Sequence, residues 1–334
     1  MERIYIKDLK DHIGKEVTIA GWVDIRRDHG KLIFLDLRDR TGKVQMVALP
    51  NHPEAVETAS KVRPEWVIEV RGVVNKRPDR MVKEGLNGDI EIEMLGGSIL
   101  SEAIELPFDK TADINLDTYL DHLPLTLRTE KARAVFKVQA TIIHAFRTFL
   151  TGEGFTEFQA PKLIGEDAEG GANSFDVEYF GHTAHLAQSP QLYKQIMVGV
   201  FERVFSTGNV YRAEKHSTTR HVNEYTSLDL EMGFIKDHTD IMAMENRILA
   251  HIMKELEASC SAEFALMGTE IPKVPEKIPA LKLREAQQVI KEEQGIDCSN
   301  EPDLEPAHER FLCEYAKKKW DSDFMFVTHF PVSK

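Results

Sequence analysis

Residues 211 to 225 carry an arginine and a glutamate two apart, then a polar loop with a second arginine, then an aromatic. They run Tyr211-Arg212-Ala213-Glu214, through Thr219-Arg220-His221, to Asn223-Glu224-Tyr225. A guanidinium is a planar, two-pronged cation that suits a phosphate. The carboxylate of Glu214 can accept from an amino group, Arg220 can reach a more distal phosphate, and the Tyr225 ring can stack on a purine. Apolar runs flank the loop, Arg203 to Tyr211 before it and Tyr225 to Ile235 after it. That pattern predicts two antiparallel strands joined by a loop. Alternation by two then sets Arg212 and Glu214 on one face of the first strand. The bland alternative is a surface hairpin of solvated charges, with Tyr225 a core aromatic.

Other elements must position this hairpin. Val135, Val138, Ile142 and Phe146 recur at helical spacing, which predicts an amphipathic helix over 130–152. Further helices are expected over 240–256 and 283–295, with Phe324 to Pro331 a core strand of the same sheet. Towards the amino terminus the period changes to two. Val17 to Val23, Lys31 to Asp39, Lys43 to Ala48, Trp66 to Val74 and Asp89 to Met94 read as five strands. Thr41-Gly42 and Asn87-Gly88 mark turns, and Glu54 to Lys61 reads as a short helix between the third and fourth strands. Five strands with that helix suggest an OB-fold barrel, a fold that commonly binds single-stranded nucleic acid. Residues 105–129 lack a sustained period and read as a hinge. The expected class is α+β: a barrel domain over 1–104, the hinge, and a second domain over 130–334.

The hairpin resembles motif 2 of the class II aminoacyl-tRNA synthetases, in the form of aspartyl-tRNA synthetases of the archaeal and eukaryotic type. Gly154-Phe155-Thr156-Glu157-Phe158-Gln159-Ala160-Pro161 is similar to motif 1 of that family. Glu169-Gly170-Gly171 and Gln188-Ser189-Pro190-Gln191-Leu192-Tyr193-Lys194 resemble its amino-acid pocket. The resemblance implies an antiparallel sheet flanked by helices and formation of aspartyl adenylate from ATP and L-aspartate. Arg212 would bridge the α-phosphate and the substrate carboxylate, and Glu214 would accept from the adenine amino group. Arg220 and His221 would hold the outer phosphates, and Tyr225 would stack on adenine. Glu169 would bind the α-ammonium. Gln191 and Lys194, three apart on one helix face, would line the pocket. Lys194 would pair with the side-chain carboxylate of aspartate, where asparagine offers only a neutral amide. Pro161 would lie at a homodimer interface.

In the barrel, the resemblance implies that Phe34 stacks on the middle anticodon base while Gln45 and Glu91 read base edges. From periodicity alone Phe34 fits the barrel core equally. His29, in Arg27-Asp28-His29-Gly30, stands where some relatives relax the choice between the Asp and Asn anticodons, so tRNA(Asp) and tRNA(Asn) are both expected partners. The family also has a glycine-rich motif 3 with an arginine for ATP and acidic ligands for Mg2+. No such segment occurs within residues 1–334. Those Mg2+ ligands are expected beyond Lys334, which would then end a fragment or a truncated gene product.

Composition sets bounds. Cys260, Cys298 and Cys313 form no CxxC pair, so no disulfide framework or zinc site is expected, and a reducing cytoplasm fits. No run of 18 apolar residues points to a membrane. The formal charge of −13 argues mildly against a nucleic-acid partner, against two local basic clusters: Arg26, Arg27 and Lys31, and Lys76, Arg77, Arg80 and Lys83. Three rival readings are an asparaginyl-tRNA synthetase, an asparagine synthetase built on the same catalytic fold, and a non-catalytic tRNA-binding fragment. The Ser-Pro-Gln-Leu-Tyr-Lys run opposes the first and the barrel opposes the second.

Overall fold

The computed structural model describes residues 2–83, 87–108, 112–166, 174–214 and 222–332. They form two compact units, residues 1–114 and 115–334. In the first, strands β1 (Glu16–Asp28), β2 (Ile33–Arg38), β3 (Lys43–Ala48), β4 (Val67–Lys76) and β5 (Ile90–Ser101) close a barrel in the order β1-β2-β3-β5-β4. The alternation seen in the sequence decides which residues face inward. Val17, Ile19, Leu35, Leu37, Val44, Met46, Ile68, Val70, Ile92 and Met94 are all buried. Helix α1 (Pro53–Lys61) packs against β5, where Thr58 Oγ1 donates to the Gly97 carbonyl at 2.9 Å. The β1–β2 turn is tight: Gly30 has φ +78°, and its N–H donates to Asp28 Oδ1 at 3.0 Å.

Residues 105–129 contain two short helices, α2 (Leu116–Asp121) and α3 (Leu123–Thr126). Helix α4 (Glu130–Gly152) begins at a Thr129 cap, whose hydroxyl accepts from the Ala132 N–H at 3.3 Å. It ends as Gly154 turns the chain at φ +82° into β6 (Thr156–Glu157). Strands β7 (Leu163–Ile164), β8 (Asp176–Tyr179) and β9 (His182–Leu186) make a small sheet, followed by α5 (Gln191–Phe201). Then come β10 (Arg203–Tyr211) and β11 (Glu224–Met232), which pair antiparallel along their full length, with β6 parallel to β10. Helix α6 (His238–Met267) lies against α4. Phe146 and Leu150 of α4, Phe205 of β10 and Met244, Ile248, Ile252 and Leu256 of α6 form one buried cluster. Truncating Phe205, which is fully buried, should cost about 3–5 kcal/mol. Urea unfolding of Phe205→Ala, followed through the transition of this unit, measures it.

The segment after α6 folds around a core of its own. Strand β12 (Ala280–Lys282), α7 (Leu283–Gln294), α8 (Pro306–Trp320) and β13 (Phe326–Thr328) bury Leu283, Ala286, Ile290 and Leu312 together. This corrects the expectation for Phe324 to Pro331. Strand β13 pairs in parallel with β12, Leu281 opposite Val327, and not with the hairpin sheet. The apolar run is real, but its half-buried Met325 and Val327 pack, with Leu281, on the core formed by α7 and α8. Among the described residues no helix is long and apolar enough to cross a membrane.

Candidate functional site

The register of β10 and β11 sorts their side chains. Val210 stands opposite Tyr225, Gly208 opposite Ser227, Ser206 opposite Asp229 and Val204 opposite Glu231. Opposed residues share a face, and residues two apart along a strand do too. Phe205, Leu228, Leu230 and Met232 face the helices. The other face therefore carries Tyr225, Ser227, Asp229 and Glu231 in a row. From Tyr225 to Asp229 this row spans about 13 Å at the usual strand rise.

At one end, Arg212 continues the ladder by one step, its N–H donating to the Asn223 carbonyl at 3.0 Å. The first strand, however, stops at Tyr211. Arg212 and Glu214 do not alternate along it as expected. The Glu214 N–H turns back to the Arg212 carbonyl at 2.8 Å, which closes a tight turn. With its amide oriented to satisfy both groups, Asn223 donates from its side-chain nitrogen to the Arg212 and Glu214 carbonyls, at 3.1 and 3.2 Å, and clamps that turn. The guanidinium carbon of Arg212 lies 5.9 Å from the centroid of the Tyr225 ring, within cation–π range. Tyr225 is half-buried and faces away from the helix-packed core. The arrangement keeps a planar cation beside an aromatic face.

At the other end stands Lys194. Ser189 starts α5, its Oγ accepting from the Gln191 N–H at 3.1 Å, and the Lys194 N–H donates to the Pro190 carbonyl at 2.8 Å. The helix carries the Lys194 side chain onto the strand face, where it is 9% exposed. Its ammonium sits 3.1 Å from Asp229 Oδ1 and 3.7 Å from Glu231 Oε2. Ser227 donates a further hydrogen bond to Asp229. Gln191 occupies the first turn of the same helix and is half-buried. The two carboxylates already occupy this buried ammonium, so an incoming anion has to compete with them for it. Asp229, Glu231 and Ser227 were missed from the sequence. The signal was there, because they continue the alternation by two from Tyr225. Pro161 is exposed, between β6 and β7. Glu169, Arg220 and His221 lie outside the described residues.

On the barrel, Phe34 points outward with Asp36, while Leu35 and Leu37 fill the core. That settles the open choice for Phe34 against the core. His29 meets it edge-on, ring centroids 5.6 Å apart at 79°. Gln45 and Glu91 are joined across β3 and β5, Gln45 Nε2 donating to Glu91 Oε2 at 3.4 Å. Lys83 Nζ donates to Gln45 Oε1 at 3.1 Å. All four barrel residues singled out in the sequence thus fall on one outer surface, as two contacting pairs. The basic clusters are partly spent internally. Arg27 forms two hydrogen bonds with Asp36, at 3.0 and 2.8 Å, and the carboxylate raises its pKa. Arg26 pairs with Asp28 at 2.8 Å, and Arg77 is buried, 3.7 Å from Glu91. Lys31, Lys76, Arg80 and Lys83 remain exposed.

Among the described residues there is no cluster of three or more His, Cys, Asp or Glu placed to hold a metal ion. Asp229 and Glu231, the two carboxylates on the strand face, are both engaged by Lys194.

Comparison with known proteins agrees with this geometry. Residues 115–334 match the family model of class II tRNA synthetases (D, K and N), and residues 17–99 match that of the OB-fold nucleic acid binding domain. An aspartate–tRNA(Asp/Asn) ligase of Deinococcus radiodurans is 45% identical over 99% of this chain and 74% of its own length. The protein of the same name from Thermus thermophilus is 43% identical over 99% and 76%. Among solved structures, asparaginyl-tRNA synthetase from Pyrococcus horikoshii in complex with asparaginyl-adenylate superposes with a TM-score of 0.88 at 30% identity, covering 99% of this chain and 75% of that one. With a closed OB barrel, a motif 2 hairpin and relatives of this closeness, the chain belongs to the class II tRNA synthetases, in their aspartate–tRNA ligase group.

Proposed function

We propose that the protein activates L-aspartate with ATP and transfers it to the 3′ end of both tRNA(Asp) and tRNA(Asn). The observation that carries the amino-acid choice is Lys194, buried on the hairpin face and ion-paired to Asp229 and Glu231. Adenine would stack on Tyr225, with Glu214 accepting from its amino group. Arg212 would then meet the α-phosphate, where negative charge builds as the aspartate carboxylate attacks. Arg220 and His221 would hold the outer phosphates and Glu169 the α-ammonium. The α-amino acid would lie along the row towards Asp229, with Gln191 and Lys194 over its side chain. Mg2+ would neutralise phosphate charge when bound. Among the described residues no group of three or more His, Cys, Asp or Glu is placed to hold it.

The asparagine reading has one observation in its favour, the close superposition on the P. horikoshii asparaginyl-tRNA synthetase. Lys194 opposes it, because a buried ammonium gains more from a carboxylate than from an amide.

On the barrel side, Phe34 and its partner His29 would receive the anticodon loop, with Gln45 and Glu91 reading base edges. Phe34→Ala should lower kcat/KM for tRNA by about ten- to a hundredfold while pyrophosphate exchange stays unchanged, since stacking on a splayed base contributes roughly 1–3 kcal/mol. The relaxed tRNA choice rests on His29 and on the two relatives that bear the Asp/Asn name. Aminoacylation of purified tRNA(Asp) and tRNA(Asn) transcripts by the full-length protein tests it. Comparable rates are expected, and a preference of a hundredfold or more for one transcript would exclude the relaxed reading.

A second copy is expected against Pro161 and the outer face of α5, where Leu192, Ile196, Val200 and Phe201 are 48%, 62%, 64% and 47% exposed. Sedimentation should therefore report a dimer. A cytoplasmic location fits the free Cys260, Cys298 and Cys313.

A further inference from the structure

Lys162 follows Pro161, and its carbonyl accepts from the Ala187 N–H at 2.9 Å. The side chain is half-buried and crosses β10 at Gly208. A Cβ built on Gly208 would stand 3.3 Å from Lys162 Nζ and 3.4 Å from its Cε. The lysine stem thus occupies the space that the missing side chain leaves open. Gly208 is opposite Ser227, so Lys162 lies over the same face as Tyr225, Ser227, Asp229 and Glu231. Burial pushes its ammonium below the usual lysine range, and the charge of Asp229 draws it part of the way back. Asp229 accordingly feels two ammonium groups. Lys194 is in direct contact at 3.1 Å, and Lys162 acts from across Gly208.

We propose that Lys162 is a positioning residue for amino-acid specificity: it balances Asp229, so that Lys194 can turn its ammonium to a substrate carboxylate. The inference rests on reading this strand face as the amino-acid pocket. A charge count shows the consequence. Lys162 and Lys194 offset Asp229 and Glu231, and the four together are neutral. A substrate side-chain carboxylate brings the group to one negative charge, whereas an amide leaves it neutral. Without Lys162 the group is already negative, and a carboxylate makes it doubly so. Removing Lys162 therefore works against aspartate and hardly touches asparagine. A residue that merely supported the sheet would affect both amino acids, and ATP, alike.

The test uses the full-length protein with Lys162→Met, which keeps an unbranched stem one atom shorter and removes its charge. Binding of L-aspartate and L-asparagine is followed by calorimetry with a non-hydrolysable ATP analogue present, together with KM and kcat in pyrophosphate exchange. The expected result is a rise of about tenfold in Kd and KM for aspartate, with asparagine and ATP within about twofold. Lys162→Arg should retain most of the preference. Gly208→Ala, whose added methyl presses on the Lys162 ammonium, should shift aspartate in the same direction by less. Equal weakening of both amino acids and ATP would assign Lys162 to the scaffold and overturn the proposal, as would unchanged aspartate binding. If the unsubstituted protein shows no preference for aspartate over asparagine, the pocket reading itself falls, and this inference with it.

Discussion

Arg212→Ala should reduce aspartate-dependent pyrophosphate exchange by about a thousandfold or more while tRNA binding stays close to normal. The guanidinium sits at the end of the hairpin face, 5.9 Å from the Tyr225 ring, on a turn clamped by Asn223. Backbone hydrogen bonds shape the turn that carries it before substrate arrives, so the backbone has little to reorganise when Arg212 meets the α-phosphate as proposed. Alanine removes the cation but leaves the clamp intact, because Asn223 holds backbone carbonyls and not the arginine side chain. The fold should therefore survive, and the loss should appear in kcat rather than in the melting temperature. Filter binding of tRNA provides the second readout, since the barrel carries the residues expected to meet the anticodon. Exchange within tenfold of the unsubstituted protein would remove Arg212 from the reacting phosphate.

Lys194→Met should have the next largest effect, and a more selective one. Removing the ammonium takes from Asp229 and Glu231, on a half-buried face, the cation in direct contact with both, at a cost of about 3–5 kcal/mol that falls where aspartate is proposed to bind. Aspartate activation should fall by on the order of a thousandfold in kcat/KM. The KM for ATP should change little, because Tyr225 lies about 13 Å along the strand from Asp229 and Arg212 stands opposite Asn223, further still. A matched loss for ATP and aspartate would mean that the substitution unfolded the hairpin, and a melting curve would show it. Unchanged aspartate kinetics with a normal melt would place the amino-acid side chain elsewhere.

The elements that could be read from sequence are those whose period is carried by neighbours along the chain. Val17, Ile19, Leu35 and Leu37 alternate with polar residues, and the barrel follows from that alternation together with a helix at Pro53–Lys61. Arg203–Tyr211 and Glu224–Met232 pair as the flanking apolar runs suggested. What escaped depended on partners distant in sequence or on one local hydrogen bond. Strand β13 has an apolar composition that suits any core, and only its pairing with Ala280–Lys282 shows which one. Asp229 and Glu231 look like solvated acids on a strand edge until α5 brings Lys194 onto them from 35 residues away. Arg212 and Glu214 have the spacing of a strand face, but the strand ends at Tyr211 and the Glu214 N–H turns back to the Arg212 carbonyl. Lys162 carries no sequence signal, since only the missing side chain at Gly208 makes room for it.

The central claim is that a buried ammonium on the motif 2 face selects aspartate. Pyrophosphate exchange by the full-length protein, run in parallel with L-aspartate and L-asparagine at matched ATP, measures it most directly. The account predicts exchange with aspartate and at least about a hundredfold lower kcat/KM with asparagine, the discrimination expected of a buried charge pair against a neutral amide. Asparagine supporting exchange as well as aspartate, or better, would contradict it.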